Sequence, residues 1–266
     1  MVSVVIPTYN RASFLQRAIK SVLKQSKTVN EIIIIDDGST DNTKELLSKF
    51  PQVKYIYQKN SGVSSSRNRG IKEASSEWIA FLDSDDEWHK NKIEKQLEYH
   101  SQNSELFISY TDEKWIKDNK HINIPKKFKK IGGSIFNEIL PFCNIAPSSV
   151  IVKKELFESV GYFDEELEVC EDYDLWLRIA RSYEFGLVNE PLITKYAGHD
   201  DQLSFKHWGM DRFRIEALKK HTNIKEAKQM LIKKLELLLI GAKKYNKTDD
   251  IRQYEEALST YQRASF

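Results

Sequence analysis

Alternation between short apolar runs and amphipathic segments is the feature of this sequence that most limits its fold. Over the first 82 residues, apolar runs lie at Val2–Ile6, Glu31–Ile35, Val53–Tyr57 and Trp78–Leu82, with helix-type patterns between them. The unbroken isoleucines of the second run indicate a strand buried on both faces, as in a parallel sheet covered by helices. Strict alternation of this kind predicts a doubly wound, Rossmann-like α/β half.

Polar segments follow three of these runs, at residues 7–11, 36–41 and 83–86. The carboxyl ends of parallel strands meet at one edge of a sheet, and ligands of such folds bind beyond that edge. We therefore expect the three segments to come together in one ligand site.

The third polar segment places three carboxylates, those of Asp83, Asp85 and Asp86, within four positions. Neighbouring carboxylates repel each other unless a cation lies between them. Mg²⁺ or Mn²⁺, held by one or two carboxylates together with substrate phosphates, meets this requirement. The alternative is an acidic turn that ends the strand and caps the next helix, and the local sequence does not choose between the two.

Motif spacing excludes several other kinds of site. A dinucleotide fold needs G-x-G-x-x-G after the first strand, where residues 7–12 contain no glycine. The chain has no P-loop pattern, and its acidic segment fails as an EF-hand loop because Trp88 stands where that loop needs glycine. A nucleotide site in this chain must therefore be of another type.

Composition and charge describe an ordinary globular chain of 266 residues, long enough for one large domain or for a domain with a helical appendage. A net charge of +2 is too small to indicate nucleic acid as the main partner. Cys143 and Cys170 lack the spacing of a zinc site or a disulfide framework. With no signal-peptide pattern before Val2 and no apolar run of roughly 18 residues, we expect a cytoplasmic protein.

The later part of the chain is less regular. We expect a helix over residues 91–101, a polar surface excursion over 114–130, and short strands at 106–110, 148–152, 185–188 and 192–195. Beyond Asp211 the apolar positions have helical spacing throughout. These patterns predict a catalytic-type domain over 1–208, with halves 1–88 and 89–208, and a helical extension over 209–266.

Five motifs in order resemble those of the family 2 glycosyltransferases, which have the GT-A fold. They are Val4–Arg11, Asp36–Asp41, Asn60–Gly62 with Arg67–Gly70, Asp83–Asp86, and Glu171–Asp172. The resemblance covers roughly residues 1–208. It implies a mixed sheet flanked by helices, and inverting transfer of a hexosyl or N-acetylhexosaminyl group from a nucleotide-diphosphate sugar, usually a UDP-sugar, to a hydroxyl of a surface glycan or lipid-linked glycan.

The resemblance also implies roles for individual residues. Pro7, Thr8 and Tyr9 would line the base and ribose pocket, and Asp37 would bind the uracil ring. Asp83 and Ser84 would lie beside the nucleotide, with Asp85 as the ligand of Mn²⁺ or Mg²⁺. Further neighbours of the nucleotide would be Arg11, Asn60, Gly62 and Arg67. Arg67 has the alternative of pairing with an acidic neighbour, and Asp86 is expected to start the next helix.

Asp172 matches the general base of the family, although Glu171 and Asp172 could also serve as caps of a helix N-terminus, where carboxylates are stabilised. His199 resembles a late histidine that reaches the metal or diphosphate in related enzymes, and a surface histidine is the alternative.

Two other functional classes and three roles for the C-terminal helices remain to be weighed. A non-catalytic nucleotide-sugar or glycan-binding module is one rival. The other is a DxD-type phosphatase. In that class the motif follows the first strand, whereas the acidic segment of this chain follows the fourth, so this function is disfavoured. Residues 211–266 carry 13 basic and 8 acidic side chains, a net charge of +5. We rank packing on the catalytic domain first, self-association second, and docking at an anionic membrane surface, such as the inner face of the membrane, third.

Overall fold

The computed structural model describes residues 1–118, 120–125, 128–198 and 209–263. Strands in these ranges form one nine-stranded mixed sheet. In chain order they are β1 (Val2–Thr8), β2 (Glu31–Asp36), β3 (Val53–Tyr57), β4 (Trp78–Phe81), β5 (Glu87–Trp88), β6 (Ile108–Lys117), β7 (Lys120–Ile122), β8 (Ile151–Lys153) and β9 (Gly186–Ala197).

Helices cover the sheet and continue the chain beyond it. They are α1 (Ala12–Leu23), α2 (Thr43–Leu47), α3 (Gly62–Glu73), α4 (Lys92–Gln102), α5 (Phe136–Ile139), α6 (Leu156–Val160), α7 (Glu171–Ala180), α8 (Asp211–Lys219), α9 (Lys225–Lys244) and α10 (Thr248–Arg263).

The sheet has a parallel half and a mixed half. Its strand order is β3-β2-β1-β4-β8-β6-β9-β5, with β7 paired to β6. The first four of these strands are parallel, β8 is antiparallel to both β4 and β6, and β6 runs parallel to β9. The predicted mixed sheet flanked by helices is confirmed, and so is the strict strand–helix alternation up to β4.

The apolar run of β2 is buried on both faces, as its sequence predicts. Ile33 and Ile35 belong to one hydrophobic core, whereas Ile32 and Ile34 belong to the other. Side chains alternate along a strand, so an uninterrupted apolar run supplies both layers at once. The carboxyl ends of the parallel strands are thereby fixed between two packed layers.

Three predictions for the middle of the chain are wrong. Residues 114–130 are not only a surface excursion, because β6 extends to Lys117 and forms a hairpin with β7. The two short strands predicted at 185–188 and 192–195 are one strand, β9, whose pairing shifts register where Asp112 meets Pro191. A proline cannot donate a ladder hydrogen bond, and a bulge accommodates it without ending the strand.

Asp86 does not start a helix, which is the third wrong prediction. It precedes β5, and α4 begins only at Lys92. The carboxylate of Asp86 is buried and accepts a hydrogen bond from Ser148 Oγ at 2.6 Å. One carboxylate of the acidic segment, that of Asp86, therefore faces the interior and has a hydrogen-bond partner within the protein.

The C-terminal helices share a core with the sheet domain. Ile215 of α8 and Leu231 of α9 lie in the same hydrophobic cluster as Trp176 of α7. Lys234 of α9 also donates to the carbonyl of Pro141 at 2.6 Å. Packing on the catalytic domain, the first-ranked role for these helices, is therefore present. No helix among the described residues is long and apolar enough to cross a membrane.

Candidate active site

The three polar segments converge as their positions after parallel strands predict. Thr8 pairs in register with Asp36, and Val5 with Phe81. The backbone N–H of Asp37 donates to the carbonyl of Thr8 at 2.9 Å. Segments 7–11, 36–41 and 83–86 consequently share one edge of the sheet.

Asn10 ties the first segment to the second. Its backbone has a φ of 51°, in the left-handed region that asparagine tolerates better than most residues. From there its side-chain oxygen accepts from the N–H of Thr40 at 2.7 Å and of Asp41 at 3.3 Å. Beside it, Tyr9 leaves 48% of its surface exposed, whereas Thr8 is buried. A solvent-facing aromatic ring thus stands on a rigid turn, next to Pro7 at the end of β1.

Asp37 holds residues 58–62, which follow β3, at this edge of the sheet. Its carboxylate accepts from the N–H of Ser61 and of Gly62, both at 2.9 Å, and from Gln58 Nε2 at 2.7 Å. Gly38 has a φ of +86°, and a Cβ there would lie 2.9 Å from the backbone nitrogen of Asn60. The structure therefore brings Asn60 and Gly62 to the edge of the sheet that carries Asp37, and the contact of Asp37 with uracil stays a prediction.

The acidic segment after β4 is neutralised by arginines. Asp85 lies 2.5 Å from Arg11 Nη1, and its carbonyl accepts from Arg17 at 2.7 Å. Asp83 lies 2.8 Å from Arg67 Nη2. Ser84 between them is buried. The repulsion expected between these carboxylates is relieved by protein cations, which a charged ligand could exchange for its own contacts.

Arg67 is enclosed between two carboxylates. Its side chain is only 4% exposed, and it contacts Glu171 at 2.6 Å as well as Asp83. Burial opposes the charge, but the two carboxylates outweigh it and raise the pKa of Arg67 above its usual range. Of the two alternatives for Arg67, pairing with acidic neighbours is the one that this structure contains.

Asp172 stands in the first turn of α7. Its Oδ1 accepts from the N–H of Tyr173 at 2.6 Å, and the thiol of Cys143 lies 3.5 Å from its Oδ2. Burial raises the pKa of Asp172 above its usual range, and burial likewise raises that of Glu171 to about 7. A carboxylate with a raised pKa is a stronger base, so the half-buried Asp172 suits proton abstraction.

Ser148, which the sequence analysis missed, joins the two halves of the sheet domain at this site. Its Oγ accepts from the N–H of Asp83 at 3.0 Å and donates to Asp86. Burial raises the pKa of Asp86 to about 8. The role of Ser148 is visible only in the tertiary structure, because a serine between Pro147 and Ser149 belongs to no motif.

Lys195 is the second residue that the motifs did not identify. It lies half-buried on β9. Burial lowers its pKa, but the carboxylates of Asp86, Glu113 and Asp83 raise it more, so the net shift is upward. A lysine shortly after the apolar pair Leu192 and Ile193 of β9 is a weak sequence signal, since charged side chains are common in strands that have one exposed face.

Candidate metal ligands are few in the described part of the chain. No group of three or more histidine, cysteine, aspartate or glutamate side chains there is arranged to hold an ion. His199, the other predicted ligand, lies outside the described residues. Asp85 stays the predicted carboxylate ligand, and one or two carboxylates together with substrate phosphates are the usual donors to magnesium.

The chain is similar in sequence to known glycosyltransferases. The family model described as glycosyl transferase family 2 matches residues 3–159. An uncharacterized glycosyltransferase of Rickettsia felis is 40% identical over 195 residues, covering 72% of this chain and 32% of the relative. The chain thus spans about a third of the length of that relative. A UDP-Glc:alpha-D-GlcNAc-diphosphoundecaprenol beta-1,3-glucosyltransferase of Escherichia coli, WfaP, is 34% identical over 67% of this chain and 70% of its own.

Among solved structures, the Staphylococcus aureus protein TarS (residues 1–349) in complex with UDP-GlcNAc superposes with a TM-score of 0.76 at 19% identity. The superposition covers 98% of this chain and 80% of TarS 1–349. At this identity the likeness concerns the fold, and it agrees with a GT-A sheet followed by helices. With the family model matching more than half of its length, the chain belongs to glycosyl transferase family 2.

Proposed function

We propose that this protein is an inverting glycosyltransferase that moves a sugar from a UDP-sugar to a hydroxyl of a growing surface glycan. The observation that carries the proposal is the Arg67 bridge, which joins Asp83 of the acidic segment to Glu171, the neighbour of Asp172. The carboxylate proposed for the donor side is thereby linked, through one arginine, to the residue next to the candidate base. WfaP and WfgD of Escherichia coli, relatives at 34% and 32% identity, are described as glucosyltransferases that use UDP-Glc.

The nucleotide would lie along the edge formed by the first three strands. Tyr9 is exposed enough to stack on a base, and Thr8 and Pro7 form the floor beside it. Asp37 would bind the uracil, with Asn60 and Gly62 at its rim. The ribose and diphosphate would lie at the acidic segment, beside Asp83, Ser84 and Arg11.

A divalent cation, Mn²⁺ or Mg²⁺, fits the residues present, because Asp85 supplies a carboxylate and the diphosphate would supply further oxygens. When bound, such an ion stabilises negative charge on the leaving diphosphate. Asp85 would hold the cation, and Arg11, its present partner, would bind a phosphate oxygen. His199 is the second proposed ligand.

Asp172 would act as the general base. Its Oδ2, which lies 3.5 Å from the thiol of Cys143, would accept the proton of the acceptor hydroxyl while the hydroxyl oxygen bonds to the anomeric carbon. The bond from the anomeric carbon to the diphosphate breaks with its electron pair leaving on the nucleotide. Because a single displacement needs one base and no covalent intermediate, the anomeric configuration inverts.

The acceptor would be a glycan or a lipid-linked glycan. WfaP and WfgD are described as acting on diphosphoundecaprenol-linked GlcNAc, which is a membrane-anchored sugar. An acceptor of this kind would bring the enzyme to the cytoplasmic face of a membrane. Residues 225–245 leave Leu237, Ile240 and Tyr245 exposed, so a peripheral contact through α9 is compatible with this location.

Donor binding tests the proposal directly. Incubate the full chain with Mn²⁺ and a panel of nucleotide sugars, and record binding by calorimetry and slow hydrolysis by product release. We expect a UDP-sugar to bind only when Mn²⁺ is present. The variant Asp85→Ala should lose this Mn²⁺-dependent binding. Asp249→Ala removes a carboxylate that is 95% exposed on α10 and should match wild type. If no nucleotide sugar binds, the proposed function is wrong; binding without any turnover indicates a non-catalytic module.

A further inference from the structure

Three aromatic side chains form a wall on the acceptor side of the site. Trp115 of β6 lies 5.8 Å from Phe128 between ring centroids, and Phe128 lies 5.1 Å from Phe142. All three are half-buried. Within the described residues, this aromatic wall belongs to neither of the two hydrophobic cores. Its rings therefore do not serve the packing of the sheet layers.

The aromatic wall reaches the candidate base at one end. Phe142 is followed by Cys143, whose thiol lies 3.5 Å from Asp172 Oδ2. At the other end, Trp115 pairs in register with Lys195 of β9. Residues paired in register project from the same face of a sheet, so Trp115 stands beside the lysine that faces the acidic segment. The aromatic wall therefore extends from the residue next to Cys143 at one end to the strand neighbour of Lys195 at the other.

Buried polar contacts hold the aromatic wall in place. Glu113 Oε1 accepts from Trp115 Nε1 at 2.7 Å, and Glu113 Oε2 lies 3.2 Å from Lys130 Nζ. Lys130 in turn donates to the backbone carbonyl of Asn144. The side chains of Glu113 and Lys130 are both buried, so this chain of contacts ties the segments that carry Phe128 and Phe142 to β6. Because these contacts fix the aromatic wall before a ligand binds, little side-chain conformational entropy is lost on binding.

We infer that the aromatic wall is the subsite for the acceptor sugar, an inference that rests on the proposed function. A pyranose ring has a face of C–H groups that packs on aromatic rings, and a rim of hydroxyls that needs polar partners. Sites for such molecules combine aromatic walls with a few placed polar groups. Seated on Phe142 and Trp115, a sugar would present a rim hydroxyl to Asp172.

The test uses methyl glycosides of glucose, galactose, mannose, rhamnose and N-acetylglucosamine as probes. Titrate each into the full chain with UDP and Mn²⁺ present, and follow the tryptophan indole N–H signals by NMR. Trp115→Phe identifies the Trp115 signal. We expect at least one glycoside to shift that signal, and Phe142→Ala to weaken its binding about tenfold, the loss of roughly one aromatic contact.

Tyr183→Ala is the matched control, since Tyr183 and Phe107 form a comparable half-buried aromatic pair at the start of β6. This variant should bind the glycoside as wild type does.

Thermal unfolding of Phe142→Ala, and its UDP binding, show whether the variant has kept its fold. If UDP binds but no glycoside shifts the Trp115 signal, the subsite is overturned and the proposed function stands. If UDP fails to bind wild type, the proposed function itself fails. Equal glycoside affinity in Phe142→Ala and wild type also overturns the subsite.

Discussion

Arg67 and Glu171 form a buried ion pair at 2.6 Å between residues that lie 104 positions apart in the chain. Arg67 belongs to α3 of the parallel half, and Glu171 opens α7, which carries Asp172. The second contact of the guanidinium, to Asp83 at 2.8 Å, extends the link to the acidic segment. The acidic segment proposed for the donor and the helix that carries the candidate base are therefore linked through one side chain.

Replacing Arg67 by methionine should destabilise the protein by about 3 to 5 kcal/mol, because the carboxylates of Glu171 and Asp83 lose their counter-charge in a buried place. Urea unfolding followed by circular dichroism measures the change. Arg69→Met, two positions along on a less enclosed part of α3, should stay within about 0.5 kcal/mol of wild type. Equal stability of the Arg67 and Arg69 variants would show that the ion pair does not hold the two halves together.

Gly70→Ala should also be destabilising, for a steric reason. A Cβ at this position would lie 2.2 Å from Val5 Cγ1, so α3 could not keep its distance from β1. Overpacking of this kind costs about 1 to 3 kcal/mol, more than the alanine gains in helix propensity.

Gly241→Ala provides the matched control in the same unfolding experiment. Gly241 lies within α9, and no heavy atom is within 4 Å of its would-be Cβ. The alanine there should stabilise by about 0.5 to 1 kcal/mol. A stabilising Gly70→Ala would contradict the close packing of α3 on β1.

His221 should make the fold sensitive to acid. It is buried next to Phe136, and burial lowers its pKa to about 4, with Asp174 opposing the shift. The unfolded chain therefore takes up this proton between about pH 6.5 and pH 4, while the folded chain does not. Stability should fall as the pH falls through that window, by at most about 1.4 kcal/mol per pH unit.

His221→Gln removes the titrating group and isolates its contribution. The free energy of unfolding of wild type and variant should differ by a constant amount above pH 7, and the gap should narrow or reverse as the pH approaches 4. Parallel curves over the whole range would contradict the assignment of this acid sensitivity to His221.

Asn10 should matter for donor binding through its backbone conformation and its side-chain oxygen. Asn10→Ala keeps neither the contacts to Thr40 and Asp41 nor the tolerance for a positive φ, so the turn that carries Tyr9 should loosen. We expect UDP affinity, measured by calorimetry, to fall about tenfold. Asn10→Asp retains an acceptor oxygen and should lose less; a larger loss in Asn10→Asp than in Asn10→Ala would contradict this role.

Much of the fold was predictable because the first half of the chain obeys local rules. Ile32–Ile35 must be buried on both faces, and residues after parallel strands must share an edge. These rules place Thr8, Asp37 and Asp83 together without any knowledge of distant contacts. The hairpin of β6 and β7 was missed because its polar side chains carry no apolar alternation.

The partners of the site residues could not be predicted in the same way. Arg67 meets Glu171, and Ser148 meets Asp86, only after the chain has closed on itself. Asp86 was assigned to a helix start because its sequence neighbours are acidic and polar, whereas tertiary packing turns it inward. The surroundings of Lys195 and the Glu113–Lys130 ion pair likewise depend on tertiary contacts that no local motif encodes.

Turnover by Asp172→Asn tests the central claim most directly. Asparagine keeps the size of the side chain and an acceptor for the N–H of Tyr173, but it cannot take the proton of the acceptor hydroxyl. Glu138→Gln, at an exposed position of α5, serves as the control. We predict that Asp172→Asn binds the UDP-sugar like wild type while its transfer rate falls by about 10² to 10⁴. Full transfer activity in Asp172→Asn, with the fold intact, would contradict the account.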